Sequence, residues 1–138
     1  MRILVTGPRI WTDVMPILDI FQKVTQGISY SEVTLIEGEA TGFDTVAKNM
    51  GRFLHWNIEP YPVTKDEWYP NGSYDAKAGH KRNQRMVDSG ADLAIAGLMK
   101  CNKANCRKLR PHITHGTADC IKRIKKAGIP LREITYYD

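Results

Sequence analysis

Three short segments of the chain combine glycine with polar side chains that can contact an anion. Glycine lets a backbone approach an anion closely, and the first turn of a helix offers free N–H groups and a partial positive charge. We therefore expect Gly116-Thr117, at the start of the last predicted helix, to bind a phosphate, and Arg9 to clamp the same phosphate. Alternatively, Gly7 is only a turn residue and Gly116-Thr117 only a helix cap. The segments are Thr6-Gly7-Pro8-Arg9, Glu37 to Asp44, and His115-Gly116-Thr117-Ala118-Asp119.

The second of these segments contains the carboxylates Glu39 and Asp44. Glu39 lies between Gly38 and Gly42, and Asp44 lies two residues after Gly42. A carboxylate there can bind a ribose hydroxyl or act as a general base, so both are candidate catalytic residues. The alternative for Asp44 is a helix N-cap, and the alternative for Glu39 is a solvated turn residue. Gly38 and Gly42 are expected to approach the ligand through their backbone.

A second basic segment, Ala78 to Asn83, stands at the start of a predicted helix. Gly79, Arg82 and Asn83 are candidates for holding phosphate together with base or sugar. A solvated basic helix end is the alternative. Trp68, in the preceding loop, can stack on a base, although a loop tryptophan often packs over its own core instead.

Two cysteines and two histidines lie close together in one long loop, at Cys101, Cys106, His112 and His115. Such a set suits tetrahedral zinc, but the spacing is not that of a standard zinc finger. The same loop carries five basic residues: Lys100, Lys103, Arg107, Lys108 and Arg110. We favour a mobile basic loop over an anionic ligand, with zinc as the alternative, so no cofactor is predicted.

Short apolar runs alternate with helical patterns, and this alternation must position the candidate residues. It predicts an α/β fold of Rossmann-like type, with a doubly wound, mainly parallel five-stranded sheet and helices on both faces. In such a sheet, ligands bind beyond the carboxyl ends of the strands. The predicted strands are 3–6, 33–36, 58–63, 92–96 and 131–135. The predicted helices start at a Thr12-Asp13 cap, after Gly42, at about Lys81 and at Thr117.

Composition gives the broad class of protein. The 138 residues fit one domain, spanning 1–138. The net charge of +5 favours anionic partners without saying which, although positive charge also serves solubility. Three cysteines, an odd number, argue against a disulfide framework. With neither a signal peptide nor a membrane span in the sequence, we expect a cytoplasmic protein.

The order and spacing of these motifs resemble the YspA-like, cpYpsA-related branch of the SLOG superfamily, relatives of the LOG phosphoribohydrolases and of the DNA-processing protein DprA. The resemblance covers nearly the whole chain. It is carried by Thr6-Gly7-Pro8-Arg9 with Trp11 and Asp13, Gly38-Glu39-Ala40 with Gly42, Asp44 and Ala47, Trp68, Ala78-Gly79 with Arg82-Asn83 and Met86, Asp92-Leu93, and Gly116-Thr117 with Asp119-Cys120.

The resemblance implies a Rossmann-like fold, a nucleotide-type ligand, homo-oligomers, and a role in bacterial or phage conflict systems. Three departures from the family pattern matter. Pro8 stands where members usually have Ser, and Glu39 where they have Gly. Cys120 stands where LOG enzymes have their catalytic Glu, and Asp119 is one residue earlier, about 100° away on a helix. Asp119 is therefore expected to point elsewhere, which puts LOG-type cleavage in doubt.

Three functions remain open. The first is a module that senses or sequesters a nucleotide or nucleotide-derived phosphate, such as an ADP-ribose-like species. The second is a hydrolase that cleaves an N-glycosidic or phosphate bond, like a nucleotide N-glycosidase or phosphoribohydrolase, with Asp44 or Glu39 as base. The third is a nucleic-acid binder, whose affinity falls steeply with salt. We rank them in that order, and no membrane partner is expected.

Overall fold

A computed structural model describes residues 1–136 of the chain, in which strands and helices alternate. The strands are β1 Arg2–Thr6, β2 Thr34–Glu37, β3 Asn57–Pro60, β4 Leu93–Leu98 and β5 Leu131–Thr135. The helices are α1 Met15–Val24, α2 Phe43–Phe53, α3 Lys65–Trp68, α4 Lys77–Asp88 and α5 His115–Lys126, with a short 3-10 turn at Tyr30–Glu32. None of the helices within residues 1–136 has the length and apolar character that crossing a membrane requires.

The five strands form one sheet in the order β3-β2-β1-β4-β5. All four pairings are parallel, with Ile3 of β1 opposite Leu35 of β2 and Leu93 of β4. The strand order reverses at β1, because the chain runs outward to β3 on one side and returns to β4 on the other. Open sheets of this kind bind ligands at that reversal, beyond the carboxyl ends of the strands. The predicted fold class is therefore confirmed.

Helices cover both faces of the sheet. Alternate residues of β1 point to opposite faces, so Ile3 and Val5 pack against α1 and α2 while Leu4 packs against α4 and α5. The β4 run Ala94-Ile95-Ala96 is fully buried, as expected of a central strand covered on both sides. These two cores fix the strand ends and hence the loops that follow them.

Several element boundaries differ from the sequence expectations by one or two residues, and three further differences concern a helix cap, a strand end and a helix start. α1 begins at Met15 without a side-chain cap, so the predicted Thr12-Asp13 cap is wrong; the Asp13 carbonyl instead accepts the Trp11 indole N–H. β3 ends at Pro60, three residues before the predicted end at Val63.

The third difference concerns α4, which begins at Lys77, four residues before the predicted start. Asp75 stabilises this start, because its Oδ1 accepts the Lys77 N–H at 3.0 Å and its carbonyl accepts the Ala78 N–H at 3.2 Å. The preceding loop also contains α3, which the sequence did not predict. Its first turn is closed by a reciprocal capping box between Thr64 and Glu67.

Candidate functional site

A cavity of about 790 Å³ opens at the carboxyl ends of β1 and β4. Its walls come from the loop after β1, the start of α2, the α3–α4 segment, the loop after β4 and the first turns of α5. Ten residues that the sequence predicted as ligand contacts line it: Thr6, Gly7, Arg9, Asp44, Trp68, Gly79, Arg82, Asn83, Gly116 and Thr117. Its volume is within the range of roughly 300–1,000 Å³ found for small-molecule sites.

The loop after β1 turns tightly over α2. A Cβ on Gly7 would lie 2.2 Å from Cγ of Phe43, so only glycine fits there. Gly42 has φ +77°, and a Cβ on it would lie 2.2 Å from the Arg9 carbonyl oxygen. The same turn is closed by the Phe43 N–H, which donates to the Pro8 carbonyl at 3.0 Å. Gly42 therefore supports the Arg9 loop from behind and does not itself line the cavity.

The amino end of α5 faces the cavity through Gly116, Thr117 and Ala118. The N-cap residue Thr114 makes no capping hydrogen bond to the backbone, because its hydroxyl donates instead to Oγ1 of Thr117 at 3.0 Å. A Cβ on Gly116 would meet no atom within 4 Å. The first-turn amides thus lack a side-chain cap and border open space, as an anion site at a helix start requires.

Asn83 connects α4 to this helix start. It is 4% exposed, and its Nδ2 donates to the Gly116 carbonyl at 3.3 Å and to Oδ2 of Asp119 at 3.1 Å. Its Oδ1 accepts from Nε of Arg82 at 3.1 Å. Asn83 therefore fixes the position of the α5 first turn, which is a positioning role beside the predicted ligand contact.

Arg82 is held by the turn after β2. Its guanidinium donates to the Gly38 carbonyl, and a Cβ on Gly38 would collide with it at 2.4 Å. Gly38 lies behind the cavity wall and leaves room for this arginine. Burial lowers the pKa of Arg82, partly offset by the nearby carboxylate of Asp44.

The two predicted catalytic carboxylates have different surroundings. Asp44 is buried at the start of α2, where its Oδ2 accepts the N–H groups of Gly38 at 3.1 Å and Ala40 at 3.4 Å. Burial raises its pKa to about 6, against the lowering effect of Arg82. Glu39 is exposed, does not line the cavity, and pairs with Lys48 at 3.0 Å, which lowers its pKa. Asp44 thus orders the turn after β2, and Glu39 lies outside the cavity.

Trp68 forms the aromatic side of the cavity. Its ring stacks on Tyr74 with centroids 5.6 Å apart and planes 15° apart, and the Arg9 guanidinium carbon lies 5.9 Å from its centroid. A Cβ on Gly79 would lie 3.2 Å from Cη2 of Trp68, so Gly79 provides the room for the ring. Trp68 and Arg9 therefore place an apolar surface and a cation side by side.

Sequence reasoning missed several lining residues, although it expected the basic loop with Lys103 and Lys108 to lie over an anionic ligand. The cavity also receives His80, Lys103, Lys108, Lys122 and Tyr74, so five lysines and arginines line it against two carboxylates. Asp119 was expected to point elsewhere, and this was wrong. It lines the cavity, where it accepts from Arg123 at 2.9 Å and from Asn83. These basic residues are separated in sequence, and only the fold brings them together.

Cys120 is fully buried beneath the first turn of α5 and does not line the cavity. Burial raises the pKa of its thiol to about 12. The residue that the resemblance to LOG enzymes aligns with their glutamate is therefore a neutral thiol in the core.

Glu37, the last residue of β2, was also missed as a special group. Its side chain is fully buried, and burial raises its pKa to about 7. Oε2 accepts the Glu39 N–H at 2.5 Å, whereas Oε1 is buried with no hydrogen-bond partner in the described chain. A glutamate directly after the predicted strand and directly before Gly38 was the available signal in the sequence.

The loop between β4 and α5 forms one wall of the cavity through Cys101, Asn102, Lys103 and Lys108. Its ends are joined by a backbone bridge between Lys100 and Ile113 and by the Cys101 N–H, which donates to the His112 carbonyl at 2.7 Å. Within it, one ligand atom each from Cys101, Cys106, His112 and His115 lie within 4.8 Å of one another. The four side chains that the sequence offered as a possible zinc set are thus brought together.

The architecture is similar to that of a protein of known structure. The chain superposes on the X-ray structure of DNA processing protein A (DprA) from Streptococcus pneumoniae with a TM-score of 0.66. The match covers 99% of this chain and 50% of the DprA chain, at 18% sequence identity. The present chain therefore corresponds to about half the length of DprA, and the likeness concerns the fold alone.

Among curated proteins, the chain is similar to the Gene 61 protein of Mycobacterium phage D29. The two are 29% identical over 133 residues, which span 94% of this chain and 93% of the phage protein. No protein-family model matches the chain. A similar chain thus occurs in a phage, while the assignment of this chain to the YspA-like branch of the SLOG superfamily stays a prediction.

Proposed function

We propose that the cavity at the carboxyl ends of β1 and β4 binds a nucleotide or a nucleotide-derived phosphate, and that the protein senses or sequesters this ligand. The observation that carries the proposal is the convergence of the uncapped α5 first turn, Arg9 and Trp68 on one cavity of about 790 Å³. Backbone amides and a guanidinium suit phosphate, and an aromatic ring suits a base.

The hydrogen bonds and ion pairs that the carboxylates already make favour binding without turnover over hydrolysis. Oδ2 of Asp44 already accepts two backbone N–H groups, and Glu39 pairs with Lys48 outside the cavity. Asp119, the remaining carboxylate on the wall, is bound by Arg123 and Asn83. A general base needs a free oxygen within hydrogen-bond reach of the proton it removes. Asp119 is bound through both oxygens and Glu39 lies outside the cavity, which leaves Oδ1 of Asp44 as the candidate base, so the hydrolase is the second candidate.

Nucleic-acid binding is a further candidate, favoured by two observations. The structure that the chain superposes on is named a DNA processing protein. Lys103, Lys108 and Lys122 are exposed at the cavity mouth, where a strand could continue past the site. A short strand and a free nucleotide share phosphate and base, so an experiment must separate them by affinity and by salt dependence.

The first test is a thermal-shift screen with nucleoside mono- and diphosphates, ADP-ribose and cyclic ADP-ribose derivatives, with inorganic pyrophosphate as the baseless control. A ligand at about 100 times its Kd should raise the melting temperature by on the order of 10 °C. Each stabilising ligand is then recovered and analysed. Intact ligand supports the binding module, whereas released base or phosphate supports the hydrolase.

Arg9→Ala tests the phosphate assignment. Losing a charge-assisted hydrogen bond should lower affinity for the stabilising ligand by at least about tenfold. Arg52→Ala is the matched control, because it removes the same charge from an exposed position on α2 that does not line the cavity. Equal affinities of Arg9→Ala and wild type, measured by calorimetry, would show that the phosphate site is misassigned.

A further inference from the structure

The ligand atoms of Cys101, Cys106, His112 and His115 all lie within 4.8 Å of one another. Nε2 of His115 lies 3.2 Å from Sγ of Cys106, 3.5 Å from Sγ of Cys101 and 3.0 Å from Nε2 of His112. Sγ of Cys106 also lies 3.3 Å from Nε2 of His112. The four ligand atoms therefore surround a common point.

Hydrogen bonds alone do not account for this arrangement. A ring nitrogen has either one lone pair or one N–H, so Nε2 of His115 can make one good hydrogen bond and not three. A cation at the centre would use one lone pair from each of the four atoms at once. Zinc bonds of about 2.0–2.3 Å in a tetrahedron separate the ligand atoms by roughly 3.3–3.8 Å. Four of the six ligand-atom pairs are 3.0–3.5 Å apart, close to that spacing, and all six pairs lie within 4.8 Å.

The surroundings of the cluster orient its ligands. Nδ1 of His112 lies 3.0 Å from the Leu109 carbonyl, which can only accept, so Nδ1 carries the proton and the Nε2 lone pair points into the cluster. The Arg110 guanidinium donates to the carbonyls of Cys101 and Lys103, which holds the Cys101 turn against the second half of the loop. Cys101 is buried and the other three ligands are half-buried.

We propose that Cys101, Cys106, His112 and His115 bind one zinc ion as a closed, four-ligand structural site. Two sulfurs and two nitrogens in a tetrahedron suit zinc. With all four positions filled by protein, the ion has no open position for substrate. Its effect is mechanical. It crosslinks the loop to His115, the first residue of α5, and so fixes the loop wall beside the α5 first turn.

The proposal concerns a second site and does not depend on the identity of the cavity ligand. The ion would hold in one conformation a loop that carries five basic residues. The two thiolates offset the charge of the ion, and the bonds to it replace the apolar core that a loop of this length lacks.

The first experiment measures metal on wild-type protein purified under reducing conditions without added zinc or chelator. Elemental analysis should find about one zinc per chain. Cobalt should replace it and give the intense visible d–d absorption of a tetrahedral site, together with sulfur-to-cobalt charge transfer. Removal of the metal with a chelator should lower the melting temperature, and zinc should restore it.

Variants locate the metal on these residues. Cys106→Ser and His112→Asn should each lower zinc affinity at least about 100-fold, because each removes one of four ligands. Cys120→Ala and His55→Asn are the matched controls, since they change the same residue types outside the cluster. Both controls should retain about one zinc per chain.

Two results would overturn the proposal. One is wild-type protein that neither contains zinc nor binds zinc or cobalt when reduced protein is titrated. The other is undiminished zinc binding in the Cys106→Ser, His112→Asn double variant. If a ligand variant does not fold, the cobalt spectrum of wild type decides, because a spectrum without sulfur-to-cobalt charge transfer excludes the two cysteines. Nucleotide binding with no metal leaves the proposed function standing and removes only the zinc site.

Discussion

Glu37 illustrates how a single buried carboxyl can set the pH dependence of this fold. Its folded pKa of about 7 lies above the ordinary value of 4.5, because burial disfavours the charged form. Between these two values the folded state binds more protons than the unfolded state. The free energy of unfolding therefore falls as pH rises through this window, and the loss caused by Glu37 is complete above it.

We expect Glu37→Gln to remove this loss. The glutamine carbonyl can accept the Glu39 N–H as Oε2 does, and the side chain carries no charge at any pH. Relative to wild type, the free energy of unfolding of Glu37→Gln should rise by up to about 3 kcal/mol between pH 4.5 and pH 8. Urea unfolding at several pH values measures the difference.

Glu133→Gln is the matched control, because Glu133 is exposed on β5. Asp44 is present both in wild type and in the Glu37→Gln variant, so its own titration cancels from their difference to first order. A difference between Glu37→Gln and wild type that stays constant from pH 4.5 to pH 8 would contradict the raised pKa of Glu37.

At the scale of elements, the turn between β2 and α2 positions the loop that carries Arg9. Gly42 has φ +77° and ψ −123° as the N-cap of α2, a conformation that only glycine adopts readily. Gly27 has the same φ of +77°, but a Cβ there would meet no atom within 4 Å. A side chain at Gly42 would thus meet both backbone strain and a steric collision, whereas at Gly27 it would meet no collision.

Gly27→Ala should cost about 1 kcal/mol of stability, from the unfavourable backbone conformation alone. Gly42→Ala should cost at least about 2 kcal/mol more, because its Cβ would lie 2.2 Å from the Arg9 carbonyl oxygen. It should also weaken ligand binding by moving Arg9, whereas Gly27→Ala should leave binding unchanged. Equal losses in chemical denaturation would mean that the Arg9 loop can move away without cost.

The elements also show what the sequence can and cannot predict. Regular periodicity predicted all five strands with ends within three residues of the observed ones. Ten of the predicted contact residues line the cavity, because a parallel sheet brings strand ends to one edge. The α4 start was wrong because Gly79 reads as a helix breaker. In the structure, its missing Cβ makes room for Trp68. That is a tertiary contact with no local signal.

The cluster of Cys101, Cys106, His112 and His115 is a second example of a contact that the sequence does not reveal. Its spacing matches no standard finger, so the sequence favoured a basic loop. Two of the ligands, Cys101 and His112, are brought side by side by backbone pairing across the loop, where the Cys101 N–H donates to the His112 carbonyl. Pairing of this kind depends on how the loop closes and is not visible in residue spacing.

For the whole molecule, the excess of positive charge is concentrated where the cavity opens. The chain has a net charge of +5, and five lysines and arginines line the cavity. A field of this kind attracts a free nucleotide and a nucleic-acid strand alike. The two differ in how many phosphates the protein contacts, and hence in how strongly added salt weakens binding.

We expect the affinity for a nucleoside diphosphate to fall by less than about tenfold between roughly 50 and 200 mM salt, because few charges are paired. A strand held through six to ten phosphates would lose about 10³ or more over that range. Calorimetric titrations with a nucleotide and with an oligonucleotide of about ten residues compare the two salt dependences.

The Lys122→Ala variant, changed on the cavity wall, should weaken nucleotide binding. The Lys126→Ala variant, changed at an exposed residue outside the cavity, is the control. An oligonucleotide that binds more tightly than any nucleotide, with the steep salt dependence, would replace the nucleotide proposal with nucleic-acid binding.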